Sequence, residues 1–278
     1  MTISGKTRIL GIIGDPVEHS RSPQMQNSAL AAVGLDYIYV PFHVRSELLG
    51  EAVAGLRAAG VTGFNVTIPH KVAIIPFLDR LSPEAAEIGA VNTVCNENGT
   101  LIGYNTDGIG LVSSLRSELG FELSGRKLIV IGAGGAARAA IHACSAAGAS
   151  QLIIVNRTLD KAAGIASRYK VLFPKVHFIC CRSLSVPDYT ADLLINTTSI
   201  GMDGVSPAAD IEMIGSDCAV YDMIYVPSET PLLSSARRRG LRCANGLGML
   251  AAQGERSFTI WTGVTPPAEV MKNVLLKQ

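Results

Sequence analysis

The 278-residue sequence predicts an α/β protein of two domains, and three observations carry that prediction. Short apolar runs alternate with Ala-rich stretches of helical period along nearly the whole chain. Hydrophobic residues make up 48% of the sequence and aromatic residues only 5%, and 28 glycines suit close packing of helices on a sheet. A glycine-rich turn, "GAGGAA", joins an apolar strand to a helix near the middle.

The elements follow in order. "RILGIIG" reads as a first strand, since the opening "MTISGKTRILGIIG" lacks the small-residue cleavage site of a signal peptide. In "SPQMQNSALAAVG" a Ser cap, a first-turn Pro and a closing Gly spell a helix. "YIYVPF" is a second strand, "ELLGEAVAGLRAAG" a second helix and "GFNVTIP" a third strand. There Val66 and Ile68 alternate with Asn65 and Thr67, so the strand should bury the first two. It should present Asn65, Thr67 and then Lys71, with Pro69 ending the ladder. "SPEAAEIG" opens a short helix, and the Asn-Gly ending of "NENG" between "VNTVC" and "TLIGYN" signals a hairpin.

A helix starting near Asp107 leads into a second series: "KLIVIGAGGAARAAIHACSAAG", "QLIIVNRT", "LDKAAGIASRY", "VHFICC", "ADLLINTT" and "CAVYDMIY". This alternation implies right-handed crossovers and a parallel sheet. Arg237, Arg238 and Arg239 before Gly240 read as a helix C-terminus rather than a binding patch. The stretches "GLGMLAAQGERSFTIWTG" and "PPAEVMKNVLLKQ" are helical by period and too short to form a domain alone, so they should pack back on earlier structure. Trp261 is expected in that core.

A formal net charge of +1 argues against a nucleic-acid stripe. No apolar stretch approaches the length of a membrane span. Six scattered cysteines show no C-x-x-C and no ligand-like spacing to a histidine. They read as reduced core residues of a cytoplasmic protein, with no metal implied.

Gly132, Gly134 and Ala137 hold the three fixed positions of the G-x-G-x-x-G/A fingerprint, between a strand and a helix. Such a loop turns tightly and brings backbone N–H groups close to a pyrophosphate, with the helix dipole behind them. Gly132, Ala133, Gly134, Gly135 and Ala136 are therefore dinucleotide-binding candidates. The next strand ends in Asn156, Arg157 and Thr158, with Lys161 one turn on. An NAD enzyme usually places a carboxylate there, which would repel a 2′-phosphate. A guanidinium and a hydroxyl bind one, so the sequence favours NADP.

The N-terminal half gathers polar groups at strand ends: "HSRSP", "NVTIPHK", "GAVNT" and "NTDG". Singly each has an ordinary reading. Ser20, Ser22 or Asp107 would cap a helix, Asn92 would be a turn residue, and His19 and His70 surface histidines. Together with "GAGGAAR", "NRT", "NTTSIGM", "DMIYVPSETPLL" and "GLGMLAAQ", in order and at about the right spacing, the chain resembles the shikimate dehydrogenase family.

That resemblance implies NADPH-dependent, reversible reduction of 3-dehydroshikimate to shikimate, a step in aromatic amino-acid biosynthesis. It implies that Ser20, Ser22 and Tyr225 hold the substrate carboxylate, that Thr67, Asn92, Asp107 and Gln253 hold ring hydroxyls, and that Lys71 with Asp107 is the catalytic pair. Thr197, Met223 and Gly246 join the cofactor contacts. Gln26 departs from the family, which commonly has His there, and the change should touch local packing more than the chemistry.

The expected architecture is an N-terminal α/β substrate domain (1–106), a Rossmann-type NADP-binding domain with a parallel sheet (107–244), and C-terminal helices (245–278) returning to the substrate domain, with the site in the cleft between domains. The small-molecule substrate is the expected partner, without nucleic acid or membrane, in a monomer or a homodimer. The nearest rival is a quinate/shikimate dehydrogenase using NAD as well or instead. A ligand sensor that kept the fold and a methylenetetrahydrofolate dehydrogenase stand further off.

Overall fold

The computed structural model describes residues 3–184, 190–206 and 208–277. Met1, Thr2 and Gln278, at the outer ends of the first and last stretches quoted above, lie outside these. The chain runs β1 (Arg8–Gly14), α1 (Ser22–Ala32), β2 (Tyr37–His43), α2 (Leu49–Ala58), β3 (Gly63–Val66), α3 (His70–Ala73), β4 (Arg80–Leu81), α4 (Pro83–Ile88), β5 (Thr93–Glu97), β6 (Thr100–Tyr104) and α5 (Asp107–Leu119). It continues through β7 (Lys127–Ile131), α6 (Gly135–Ala146), β8 (Gln151–Val155), α7 (Leu159–Leu172), β9 (His177–Cys181), β10 (Leu193–Asn196), β11 (Ala219–Asp222), α8 (Pro231–Arg238), β12 (Cys243–Asn245), α9 (Leu247–Thr262) and α10 (Val270–Leu276). Two compact units result: residues up to Gly110 with those from Leu250 onward, and Leu111–Met249.

In the first unit the strand order is β2-β1-β3-β5-β6-β4. The sheet is mixed: β1 is parallel to β2 and β3, while β5 is antiparallel to β3 and β6. The expected hairpin accounts for β6 running antiparallel to β5. Asn98 and Gly99 take φ of 53° and 90°, the left-handed pair a two-residue turn requires, with Glu97 opposite Thr100. Phe64 and Val66 enter a core with Ile13, Val53, Val94 and Leu101, and the period of two turns Asn65 to the other face.

Ile68 departs from its expected burial and is 56% exposed. β3 stops at Val66, and the His70 N–H bonds back to the Thr67 carbonyl at 2.9 Å, so the chain turns before the alternation reaches Ile68. Trp261 is buried as expected, donating from Nε1 to the Val94 carbonyl at 2.9 Å.

The second unit's sheet is parallel throughout, in the order β12-β11-β10-β7-β8-β9. Strand order reverses between β7 and β10, the position at which such sheets bind dinucleotides. Leu128 and Val130 enter a core with residues of α5, α6 and α7, while Ile129 and Ile131 face a second core with α8. Burial on both faces explains the near-continuous apolar strands. Arg237 and Arg238 form the last turn of α8, and Gly240 follows with φ 70°, as the sequence implied.

Candidate active site

Lys71 lies in the one-turn α3, and its ammonium pairs with the Asp107 carboxylate. The two side chains are 15% and 5% exposed. Asp107 opens α5, where unpaired N–H groups and the helix dipole favour a negative charge. A buried ion pair is costly unless its remaining lone pairs are satisfied. Asn92 meets that need, donating from Nδ2 to Asp107 Oδ1 at 2.8 Å.

Asn92 is buried rather than at a turn, and it joins the pair to a polar network. Its Nδ2 also donates to the Thr106 hydroxyl at 2.9 Å. Its Oδ1 accepts from the Thr106 N–H at 2.8 Å and the Thr93 hydroxyl at 2.9 Å. Gln253, on α9, presents Oε1 to the Thr106 hydroxyl at 3.3 Å. Ser257, one helical turn further, lies 2.8 Å from the Thr93 hydroxyl. Asn65 donates to the Asn92 carbonyl at 3.0 Å and accepts from the Tyr39 phenol at 2.7 Å.

Asn65 is therefore a buried member of this network, not the presented group that the strand pattern implied. Sequence reasoning also passed over Thr93, Thr106, Ser257 and Tyr39. Thr93 and Thr106 sit inside motifs already singled out, and Ser257 follows Gln253 at the four-residue spacing of one helix face. Tyr39 carries no such signal in its apolar strand.

No serine caps α1; Arg21 holds the cap position, and its side chain makes no capping bond. The Ser20 hydroxyl instead accepts the Ser22 N–H at 3.3 Å. Thr67 is half-buried, and its hydroxyl has no hydrogen-bond partner among the described residues. His19 is exposed as expected, but His70 is buried and donates from Nε2 to the Val44 carbonyl at 2.6 Å, because the turn after β3 folds it under the sheet end. Gln26 is buried and donates to the Gly254 carbonyl at 3.0 Å, tying α1 to α9, while its Oε1 has no partner among the described residues.

In the second unit Gly132 takes φ 117°, and a Cβ there would lie 2.5 Å from Thr197 Oγ1. Gly134 caps α6 in extended conformation with open space where a Cβ would go, and Gly135 begins the helix. Ala133 and Ala136 are partly buried beside them. Ala137 is fully buried against the sheet. Thr197 donates from Oγ1 to the Ile131 carbonyl at 2.6 Å, which places it beside the glycine loop.

Asn156 donates to the Thr158 carbonyl at 2.7 Å and shapes the turn after β8. Arg157, Thr158 and Lys161 are exposed, and neither cation has an ion-pair partner among the described residues. Thr158 holds the N-cap position of α7, yet its hydroxyl makes no capping bond. Two free cations and a free hydroxyl fit a phosphate. Met223 and Tyr225 follow β11, both half-buried. Gly246 is needed for close packing, since a Cβ would lie 2.1 Å from the Met223 carbonyl oxygen. No group of three or more potential metal ligands stands among the described residues.

A parallel sheet with a glycine loop at its reversal point, in one chain with a buried lysine–carboxylate pair, defines a dinucleotide-dependent α/β oxidoreductase. Family models match in three places: the shikimate dehydrogenase substrate binding domain at residues 12–94, shikimate / quinate 5-dehydrogenase at 114–199, and the shikimate 5′-dehydrogenase C-terminal domain at 246–276. A shikimate dehydrogenase (NADP(+)) of Geobacter metallireducens is 53% identical over 99% of this chain and 98% of its own. The crystal structure of shikimate 5-dehydrogenase from Thermus thermophilus with NADP(H) and shikimate matches at TM-score 0.86 and 34% identity, over 96% of this chain and 98% of that one. Quinate dehydrogenase from Corynebacterium glutamicum with NAD matches at TM-score 0.88 and 28% identity, over 98% and 99%. The chain belongs to the shikimate dehydrogenase family.

Proposed function

We propose that the chain catalyses the reversible NADPH-dependent reduction of 3-dehydroshikimate to shikimate, an oxidoreductase step on a CH–OH group in the pathway to aromatic amino acids. The observation that carries it is the buried Lys71–Asp107 pair braced by Asn92. Bound NADPH supplies the hydride. Lys71, as ammonium, donates a proton to the ketone oxygen as it gains electrons, and its charge stabilises the developing alkoxide. Asp107 orients that ammonium and accepts from a neighbouring ring hydroxyl.

Thr67, Asn92 and Gln253 serve the other hydroxyls, and Ser20 and Ser22 with Tyr225 take the carboxylate. In the reverse direction Lys71 accepts the proton that the shikimate hydroxyl gives up. Gly132 to Ala136 hold the pyrophosphate, with Thr197, Met223 and Gly246 as further cofactor contacts. Asn156 supports Arg157, Thr158 and Lys161 on the 2′-phosphate.

The six free cysteines support a cytoplasmic location. All these residues come from one chain, so a monomer or a homodimer would serve, and light scattering distinguishes the two. The test follows NADPH absorbance, and in parallel NADH, with enzyme and 3-dehydroshikimate. Rapid loss with NADPH and little with NADH is the expected outcome. Comparable rates would favour the dual-cofactor quinate/shikimate reading. Binding of the ring acid with neither cofactor consumed would overturn the enzyme reading.

A further inference from the structure

Asp222, the last residue of β11, is fully buried, and neither the glycine loop nor the Arg157 cluster uses it. Its Oδ1 accepts from Asn196 Nδ2 at 2.9 Å and from the Ile224 N–H at 3.1 Å. Its Oδ2 accepts from the Thr230 hydroxyl at 2.7 Å. These donors stand on three separate pieces of chain. Asn196 ends β10, Ile224 follows β11, and Thr230 caps α8 by accepting the Leu233 N–H at 3.3 Å.

Two of those pieces lead to an expected cofactor contact. The Asn196 carbonyl accepts the Met223 N–H at 3.0 Å. Asn196 Oδ1 accepts from the Thr198 N–H at 3.0 Å and hydroxyl at 2.8 Å, fixing the residue next to Thr197. The Ile224 carbonyl accepts the Gly246 N–H at 3.1 Å. Burial pushes the Asp222 carboxyl above its ordinary range, and the bonds from Thr230, Ile224 and Asn196 pull it back. A carboxylate is the side chain of this size that accepts from three donors without offering one.

Sheet topology says which end of the dinucleotide is concerned. The glycine loop follows β7 and Arg157 follows β8, on one side of the reversal, whereas β10 and β11 lie on the other, under the second nucleotide half. We propose that Asp222 is a positioning residue for the nicotinamide half of NADP(H): one buried carboxylate sets Thr197, Met223 and Gly246 relative to one another. The inference rests on the NADP reading above.

The test compares full-length Asp222→Asn, Thr230→Val and Thr230→Ser with the parent protein. Dissociation constants are measured for 2′,5′-ADP, which carries only the phosphorylated adenosine end, and for NADP+, together with kcat. Asp222→Asn and Thr230→Val should hold 2′,5′-ADP affinity within about twofold yet lose about tenfold or more in NADP+ affinity or kcat, as expected for bonds to a charged group. Thr230→Ser should restore the parent values. Equal losses for both ligands would make Asp222 a residue of general stability and overturn the proposal, as would unchanged NADP+ affinity and kcat. If Asp222→Asn does not fold, the Thr230 pair decides by the same criteria. A parent protein that binds neither ligand would overturn the NADP reading itself, and this inference with it.

Discussion

Arg157, Thr158 and Lys161 stand exposed after β8, where positions 156–158 carry no carboxylate and Asp160 follows in the first turn of α7. Replacing Arg157 with Ala should raise the NADPH Michaelis constant about tenfold or more, the worth of a charge-assisted bond to phosphate, and leave NADH use unchanged. An unchanged NADPH constant would move the phosphate site elsewhere. Lys71→Ala should bind NADPH with parental affinity but lose turnover by about two to four orders of magnitude, the range for general acid catalysis. Equilibrium titration beside steady-state kinetics separates those effects. Burial pushes the Cys144 and Cys218 thiols up to about 12, so neither should react with iodoacetamide at neutral pH in the folded protein. Mass spectrometry of the intact and the denatured chain would register the difference. At this scale the sequence disclosed residue types and their company: Lys71 and Asp107, unremarkable singly, were joined by the family resemblance, and the structure does pair them. The burial of Asn65 was not legible, because its face of β3 is covered by Tyr39 and by Ser257 from the distant α9, and the burial of His70 was not, because it depends on where β3 stops.

Among the elements, α9 does the most for the first unit. It carries Gln253 and Ser257 to the polar network and Trp261 onto Gly63, where a Cβ would lie 2.3 Å from the indole. Trp261→Ala removes that cover and the bond to the Val94 carbonyl, so it should cost about 3–5 kcal/mol of stability, read as a lower urea midpoint. Apolar strands of four or more residues and the longer Ala-rich helices were legible because they hold more than one full period. The four-residue α3 and the three-residue β12 were not, since so short a stretch shows no period to read. The Ser cap expected for α1 failed for a related reason: the Ser20 hydroxyl accepts the Ser22 N–H in a local turn, and sequence alone does not choose between a cap and a turn.

As a whole molecule, the chain is two units of unequal continuity. Leu111–Met249 is one uninterrupted segment with its own cores, so expressed alone it should fold and bind 2′,5′-ADP without reducing 3-dehydroshikimate. Circular dichroism and calorimetry would test both halves of that statement. A chain ending at Met249 should, by contrast, leave the first unit without Trp261 and Ser257. The discontinuity also sets a timetable during synthesis. Asn65 and its bonded partner Ser257 are 192 residues apart. At the usual pace of translation, about 5–20 residues per second, a ribosome needs roughly 10–40 s to cover that distance. The Rossmann-type segment emerges and can close within that interval, while the earlier-made half waits, its polar strand ends uncovered, for the last helices to be released. A growing chain is then a cofactor binder before it is a reductase, and a messenger cut short anywhere before α9 yields no working site.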